Sequence, residues 1–231
     1  MIISVLAAAV APGAALLAYF YLKDRYAPEP ISMVIRMFLA GALVVFPVMV
    51  LQRAVVLAFG ENPFLFSFVY SAGVEEFFKW FLLYFLIYKH VEFDEPYDGI
   101  VYAVAVSLGF ATVENVIYSL LDYKSFSQLL FRAFLPVSGH ALFGVVMGFY
   151  MGKAKFHTGR PLGLLAVSLA FPVFYHGLYD YILIELKRYW IWLIVPLMVF
   201  LWARSLWKVN HANSRSPLRA VYSEDEVKLP T

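Results

Sequence analysis

The sequence predicts an all-α protein, a polytopic transmembrane helix bundle of about seven spans. Of its 231 residues, 62% are hydrophobic and 15% are charged, whereas soluble domains average about 45–50% apolar and about 25% charged residues. Apolar stretches recur along the chain at about the 20-residue length that a spanning helix requires. The chain has no cysteine, which excludes disulfide bonds, thiolate nucleophiles and cysteine-based zinc sites.

The first three predicted helices are separated by short polar connections. Helix 2–22 is followed, not preceded, by positive charges. This is the reverse of a signal peptide, so we expect the helix to be retained. Helix 31–58 begins after KDRYAPEP, and helix 65–88 lies between GENPF and KHVEFDEPYD. Proline, glycine and charge in these connections favour helix ends.

Four more predicted helices complete the bundle, at 99–121, 129–151, 161–185 and 190–207. The acidic segment FDEPYDG that precedes them is interpreted as a turn, remote from the polar residues inside the helices. The stretch 209–231 is rich in serine, proline and mixed charge, and we expect a disordered cytoplasmic tail there. Residues 1–208 then form one membrane domain.

The distribution of lysine and arginine predicts the orientation of the bundle. Cytoplasmic connections carry an excess of these residues. One side holds most of them, so we expect the N-terminus outside and the C-terminus in the cytoplasm. The predicted cytoplasmic set is Lys23, Arg25, Lys89, Lys153, Lys155, Arg160, Lys208, Arg215 and Arg219, and the predicted outer set is Lys124, Lys187 and Arg188.

Two adjacent carboxylates, Glu75 and Glu76, lie in the apolar run of helix 65–88. Even lenient insertion scales assign about 2.5–3.5 kcal/mol to each charge inside a membrane. Lys79 follows Glu75 by four residues and Glu76 by three, so it can pair with either. A single Glu–Lys pair can be a charge-balanced spot that locks helices together, whereas the second carboxylate favours a functional role.

Three later helices carry ionisable residues in the same setting. His176 and Asp180 share a helix face, where Asp180 can orient the imidazole or simply form an interhelical hydrogen bond. His140 lies among small residues, which suits either a structural or a catalytic histidine. Glu114 adds a further carboxylate, and the Asn115 amide can donate to a developing oxyanion or hold a helix contact.

All these residues are predicted to lie at one depth. The helices alternate in direction, and the polar residues fall roughly 8–17 Å below the outer surface when counted from the outer helix ends. The shared level predicts a single cavity in the outer half of the membrane. A separate pattern, Gly144, Gly148 and Gly152 at four-residue spacing, predicts close helix packing and not catalysis.

Taken together, these motifs resemble those of the PrsW intramembrane proteases, which belong to a superfamily with the CAAX prenyl endopeptidases and the Abi proteins. The similarity rests on E-E-x-x-K at 75–79, GFATVEN at 109–115, the lone His140 and H-x-x-x-D at 176–180. The segments AYFYLKDRY and DGIVYAVAVSLGFATVENVIY extend it. The resemblance covers nearly all of the chain before the polar tail.

The resemblance implies a multi-pass protease of the bacterial plasma membrane. Its substrate would be a single-pass membrane anti-sigma factor, cut first on the extracytoplasmic side so that a sigma factor is released in envelope stress. Membrane lipid would surround the protein, and no nucleic acid would bind. The resemblance implies Glu75, Glu76 and His176 as the best catalytic candidates, with support from His140 and Glu114. We count His140 among the catalytic candidates, and the residue patterns add Lys79, Asn115 and Asp180 in supporting roles.

Peptide hydrolysis by these residues can follow either of two schemes. In the glutamate scheme, Glu75 or Glu76 activates water. In the metal scheme, His140, His176 and one of the two glutamates bind a divalent metal such as zinc. The chain lacks the H-E-x-x-H zinc motif, so the sequence favours the glutamate scheme.

Two functions of other classes could use the same residues. Buried carboxylates can couple ions to transport, although the chain shows no repeated halves and its polar residues do not line a path across the membrane. A non-catalytic scaffold for transmembrane segments would hold every polar side chain paired and dry. A protease requires a water-reachable cleft beside Glu75.

The predicted topology can be tested by cysteine labelling, since the native chain has no cysteine. In intact cells, Lys155→Cys is expected to resist a membrane-impermeant thiol reagent, because the connection there is predicted to be cytoplasmic. Lys187→Cys is expected to react under the same conditions. Labelling at position 155 in intact cells would contradict the orientation.

Overall fold

The described part of the protein consists of helices and the turns between them. The computed structural model describes residues 2–121, 125–157, 159 and 161–217, and these residues contain no strand. The predicted all-α bundle is confirmed. The elements are α1 (Ile2–Tyr21), α2 (Ile31–Phe59), α3 (Pro63–Leu65), a π-helical turn (Phe66–Ser71), α4 (Ala72–Leu86), α5 (Asp98–Leu121), α6 (Phe126–Arg132), a second π-helical turn (Ala133–Val137), α7 (Ser138–Lys155), α8 (Pro161–Glu185) and α9 (Trp190–Ser214).

Among the described residues, six helical stretches are long and apolar enough to cross a membrane: α1, α2, α5, Leu130–Lys155, α8 and α9. The predicted helix 65–88 is built differently, from α3 with 3 residues, a π-helical turn with 6 and α4 with 15. A crossing by this segment, the count of seven and the orientation stay predictions. Three of the charges used for the orientation, Lys124, Arg160 and Arg219, lie outside the described residues.

The two π-helical turns lie directly before α4 and α7. Each π turn inserts an extra residue, which changes the helical phase by about 100°. The second turn contains Pro136, whose missing N–H weakens the regular hydrogen-bond ladder. The turns therefore set the faces on which the polar residues of α4 and α7 lie, a feature that helical periodicity in the sequence does not reveal.

Helix α9 is longer than the sequence predicts and ends at Ser214. Its last turns are packed against the bundle, where the Asn213 side-chain amide donates to the backbone carbonyl of Lys23 at 3.1 Å. Residues 209–214, which the sequence assigned to the predicted tail, are therefore part of a helix. Residues 218–231 of that predicted tail lie outside the described residues.

Helix α5 forms the centre of the bundle and packs against α1, α2 and α7. Its residues from 98 to 112 are all buried, so this part of the helix contacts protein on every side. Helix α8 packs against α7 and α4, and α4 in turn contacts α5. The four helices α4, α5, α7 and α8 thus form a closed ring of contacts, and the predicted site residues lie on these four helices.

Glycine allows α5 and α7 to approach at backbone distance. A Cβ atom added to Gly148 would overlap the carbonyl oxygen of Gly99, and one added to Gly152 would overlap that of Pro96. A Cβ on Gly144 would lie 3.0 Å from a backbone oxygen of α5. No larger side chain fits at these positions without a shift of the backbone, so the predicted close-packing face is confirmed.

This packing predicts that Gly148→Ala lowers the thermal stability of the purified protein. The added methyl group overlaps backbone atoms, and overpacking of this kind costs about 1–3 kcal/mol. The matched control is Gly163→Ala on α8, where nothing lies within 4 Å of an added Cβ. Unfolding can be followed in detergent by tryptophan fluorescence, and an equal Tm for the two variants would contradict the packing argument.

Candidate active site

The structure brings the polar residues of four helices into one buried group. Helix α4 contributes Glu75, Glu76 and Lys79, and α7 and α8 contribute His140 and His176. These five buried residues are called the polar cluster. Glu114 of α5 and Asp180 of α8 lie at its margin, each beside a histidine.

The ammonium group of Lys79 lies at the centre of the polar cluster. Its Nζ is 2.8 Å from Glu76 Oε1 and 3.4 Å from Glu75 Oε2. On its other side, Nζ is 3.0 Å from His140 Nδ1 and lies 4.2 Å from the centroid of the Phe110 ring. Lys79 is fully buried, so these contacts replace its hydration. One cation thus joins both carboxylates to α7.

His140 connects Lys79 to Glu114. An ammonium can only donate, so Nδ1 of His140 accepts from Lys79 and the ring proton lies on Nε2. That nitrogen is 3.1 Å from Glu114 Oε2, to which it donates. The Glu114 side chain is 33% exposed, so the chain of hydrogen bonds runs from the buried ammonium to an accessible carboxylate.

His176 is also held on both ring nitrogens, but its Nδ1 donates, because the partner is a carboxylate. Its Nδ1 lies 2.9 Å from Glu76 Oε1, and its Nε2 lies 3.5 Å from Asp180 Oδ2, one helical turn away. Asp180 Oδ2 also accepts from Ser71 Oγ at 2.6 Å. The Phe143 ring stacks on the imidazole, with centroids 5.0 Å apart. Both histidines therefore present Nδ1 to the polar cluster and Nε2 to a carboxylate, an arrangement that fixes ring orientation.

The two adjacent glutamates have different surroundings. Glu76 is fully buried, and its Oε2 forms no hydrogen bond within the described residues. Glu75 lines a cavity and accepts a hydrogen bond from Gln52 Nε2 at 3.1 Å. Successive residues of a helix point about 100° apart, so Glu75 reaches the cavity while Glu76 faces His176.

A cavity of about 320 Å³ opens beside the polar cluster. Tyr118 and Ile184 line it, which places it toward the end of the bundle where α5 and α8 end. Under the predicted orientation this is the outer end. Its polar lining consists of Gln52, Ser71, Glu75, Glu114, Arg132, His140, His176 and Asp180.

Asn115 does not belong to this lining. Its Nδ2 donates to the Ala9 carbonyl at 2.8 Å, and its Oδ1 accepts from Arg132 Nε at 2.8 Å. Of the two roles that the sequence left open, the structure supports the helix contact, here between α5, α1 and α6. An oxyanion donor at this residue is not supported, because its Nδ2 donates to the Ala9 carbonyl and the residue does not line the cavity.

Three contacts of the site were not found by sequence reasoning. Gln52 is a polar residue in the middle of an apolar helix, a signal that could have been used. Serine and phenylalanine are ordinary residues of transmembrane helices, so the sequence around Ser71 and Phe143 does not identify them as site residues. Their contacts with Asp180 and His176 depend on how the helices are rotated.

Four residues could hold a metal ion, since one ligand atom each of Glu75, Glu76, His140 and His176 lies within 4.8 Å of the others. Imidazole nitrogen and carboxylate oxygen are zinc ligands. A carboxylate lies on the far side of each imidazole ring, as is common for histidines that bind metal ions. Within the described residues, Glu76 Oε2 has no hydrogen-bond partner and is free to bind an ion. Lys79 contacts three of these residues, so a metal ion and this ammonium compete for the same donors.

Fold and site together define a class of protein. A bundle of membrane-spanning helices encloses carboxylates and imidazoles that reach a polar cavity, and these are the groups that acid–base and metal-assisted hydrolysis require. This combination is that of an intramembrane hydrolase.

Comparison with known proteins identifies the family. Residues 29–204 match the profile of the PrsW family intramembrane metalloproteases, and the chain belongs to this family. "Protease PrsW" of Geobacillus kaustophilus is 50% identical over 220 residues, which cover 94% of this chain and 96% of the relative. "Protease PrsW" of Bacillus subtilis is 47% identical over 213 residues, covering 91% and 96%. The protein of that name in Clostridioides difficile is 32% identical over 196 residues, covering 81% and 80%.

No solved structure matches the chain. The family and the six candidate spans show a multi-pass bacterial membrane protein, and the family shows a peptidase. The predicted relation to the PrsW proteases is confirmed.

The position of Lys79 predicts a large loss of stability for Lys79→Met. Removing one partner of a buried ion pair leaves an uncompensated charge and costs about 3–5 kcal/mol. Lys89→Met removes the same charge from an exposed position and is expected to leave stability almost unchanged. Abundance in membranes and Tm in detergent measure the effect. Equal values for the two variants would show that Lys79 does not stabilise the polar cluster.

Proposed function

We propose that this protein cleaves a single-pass membrane anti-sigma factor. The cut is made on the extracytoplasmic side and is the first of those that release a sigma factor in envelope stress. The resemblance of the motifs supports this substrate. The cavity, which lies at the predicted outer end of the bundle, supports a cut on that side of the membrane.

One observation carries the chemistry: His140, His176 and Glu76 converge on one point beside a polar cavity that Glu75 reaches. A scaffold would hold these groups paired and dry, yet Glu76 Oε2 has no hydrogen-bond partner in the part of the chain that the structure describes. A transporter would need polar residues along a path across the membrane, whereas these lie together at one end of the bundle.

The geometry favours the metal scheme over the glutamate scheme that the sequence favoured. His140 Nδ1, His176 Nδ1 and a carboxylate oxygen of Glu76 would hold the ion, which makes a three-ligand set of the kind found in catalytic zinc sites. When bound, zinc supplies Lewis-acid chemistry, since it polarises a carbonyl and lowers the pKa of water. Glu114 and Asp180 orient the two imidazoles from behind.

The remaining groups of the chain move protons and position the reactants. Glu75 borders the cavity, so it can accept a proton from the attacking water and deliver it to the leaving amine. Gln52 donates to one of its oxygens and Lys79 lies near the other, which fixes the carboxylate. Glu76 and Lys79 are fully buried, so their charges interact more strongly than they would in solution.

Cleavage can be measured in cells that express a tagged single-pass anti-sigma factor from the same genome. We expect Glu75→Gln and Glu76→Gln each to abolish the cleaved product while the protein still inserts in the membrane, because each substitution removes a carboxylate with its own role. Glu61→Gln changes an exposed carboxylate and is expected to cleave normally. Near-normal cleavage by either site variant at matched abundance would refute the role assigned to that glutamate.

The pair His176 and Asp180 tests the orientation of the imidazole. His176→Ala is expected to remove activity almost completely. Asp180→Asn is expected to lower it by about 10–100-fold, because an amide can still bond the ring but supplies no negative charge. Cleavage rates at equal protein abundance measure this order. Parent-like activity of His176→Ala would exclude this histidine from the reaction.

A further inference from the structure

A second group of carboxylates lies at the opposite end of α5. Asp24 and Glu29 belong to the connection between α1 and α2, Glu95 precedes α5, and Asp98 is its first residue. These four residues are called the acidic cluster. They are 8%, 4%, 0% and 0% exposed, respectively. About 24 Å of helix separates Asp98 from Glu114, so the acidic cluster is distinct from the candidate active site.

Most carboxylate oxygens of the acidic cluster accept no hydrogen bond within the described residues. Both oxygens of Asp24, both of Glu95 and Oδ1 of Asp98 form no hydrogen bond within the described residues. One oxygen from each of these three residues lies within 4.8 Å of the others. In the described part of the chain no lysine or arginine forms a salt bridge with them, and Lys155 donates instead to the His90 carbonyl at 3.0 Å. Buried carboxylates without partners are strongly unfavourable unless a proton or a cation neutralises them.

The surrounding structure holds these carboxylates in place. The backbone N–H groups of Asp94 and Glu95 donate to Asp98 Oδ2 at 2.8 Å and 2.7 Å, which directs Oδ1 elsewhere. Tyr97 is fully buried beside them, and its hydroxyl donates to the Phe20 carbonyl at 2.8 Å. The connection before α5 is therefore tied to α1, and its acidic side chains cannot simply turn toward water.

The pKa values of the buried carboxyls in the acidic cluster are raised. Burial, and then repulsion from Glu95, raises the pKa of Asp24 to about 8. Burial also raises the pKa of Glu29 to about 7, although the hydrogen bond that Tyr102 donates to it lowers that value.

We infer that the acidic cluster binds a hard divalent cation, Mg²⁺ or Ca²⁺. The ligand atoms that the acidic cluster offers are carboxylate oxygens, which these ions prefer over nitrogen or sulfur. The ion links the connection between α1 and α2 to the first turn of the central helix α5. The site is structural, and it does not depend on the reaction proposed for the polar cluster.

Binding of Mn²⁺ to the purified, chelator-treated protein tests this inference, since Mn²⁺ is a hard cation whose free form is counted by electron paramagnetic resonance. The double variant His140→Ala/His176→Ala removes the imidazole ligands of the other site and keeps the acidic cluster intact. We expect this variant to bind Mn²⁺ saturably and to release it to Mg²⁺ or Ca²⁺. Adding Glu95→Gln is expected to weaken binding by at least about 10-fold, because affinity follows the number of charged ligands.

Glu61→Gln, which changes an exposed carboxylate, is the matched control and is expected to bind Mn²⁺ like its parent. As a second readout, Mg²⁺ or Ca²⁺ is expected to raise the Tm of the double-histidine variant and not that of the variant with Glu95→Gln. The inference is overturned if the double-histidine variant shows no saturable Mn²⁺ binding, or if Glu95→Gln binds as tightly as its parent. If Glu95→Gln does not fold, the inference is judged by whether the double-histidine variant binds Mn²⁺ saturably and releases it to Mg²⁺ or Ca²⁺.

Discussion

The buried ammonium of Lys79 is the interaction on which the candidate active site depends. It lies within 3.4 Å of both adjacent glutamates and 3.0 Å from His140 Nδ1. Two carboxylates inside apolar helices would otherwise be neutral or would destabilise the bundle. The same ammonium fixes the proton of His140 on Nε2. Charge balance, helix contact and histidine tautomer thus follow from one side chain.

That contact is possible because the helices approach closely enough. Gly148 and Gly152 allow α7 to lie against the backbone of α5, which brings His140 to the level of Glu114. Helix α8 closes the group and delivers His176 to Glu76. Lys79 contacts the ligand atoms that the proposed metal ion would use, so under the proposed metal scheme its ammonium would hold the site together before the ion binds.

The sequence predicted much of this site because helical geometry is regular. Residues four apart share a face, which predicts the contact between His176 and Asp180, and helices of alternating direction place polar residues at a common level. How far each helix is rotated about its own axis relative to its neighbours cannot be predicted from residue spacing. The contact of Ser71 with Asp180 and the helix contact of Asn115 depend on it, and the π-helical turns change it. The acidic cluster joins connections that are distant in the chain, so no spacing rule could find it.

Metal dependence of cleavage by the purified protein shows whether a bound ion takes part in the reaction. The protein is reconstituted in lipid vesicles with a tagged anti-sigma factor, depleted of metal by a chelator and checked by elemental analysis. We expect that cleavage is lost and that zinc restores it in the parent but not in His140→Ala, because the imidazole is a ligand in the proposed site. Magnesium alone should not restore it, since magnesium prefers oxygen ligands. Full activity of the metal-free protein would contradict the account.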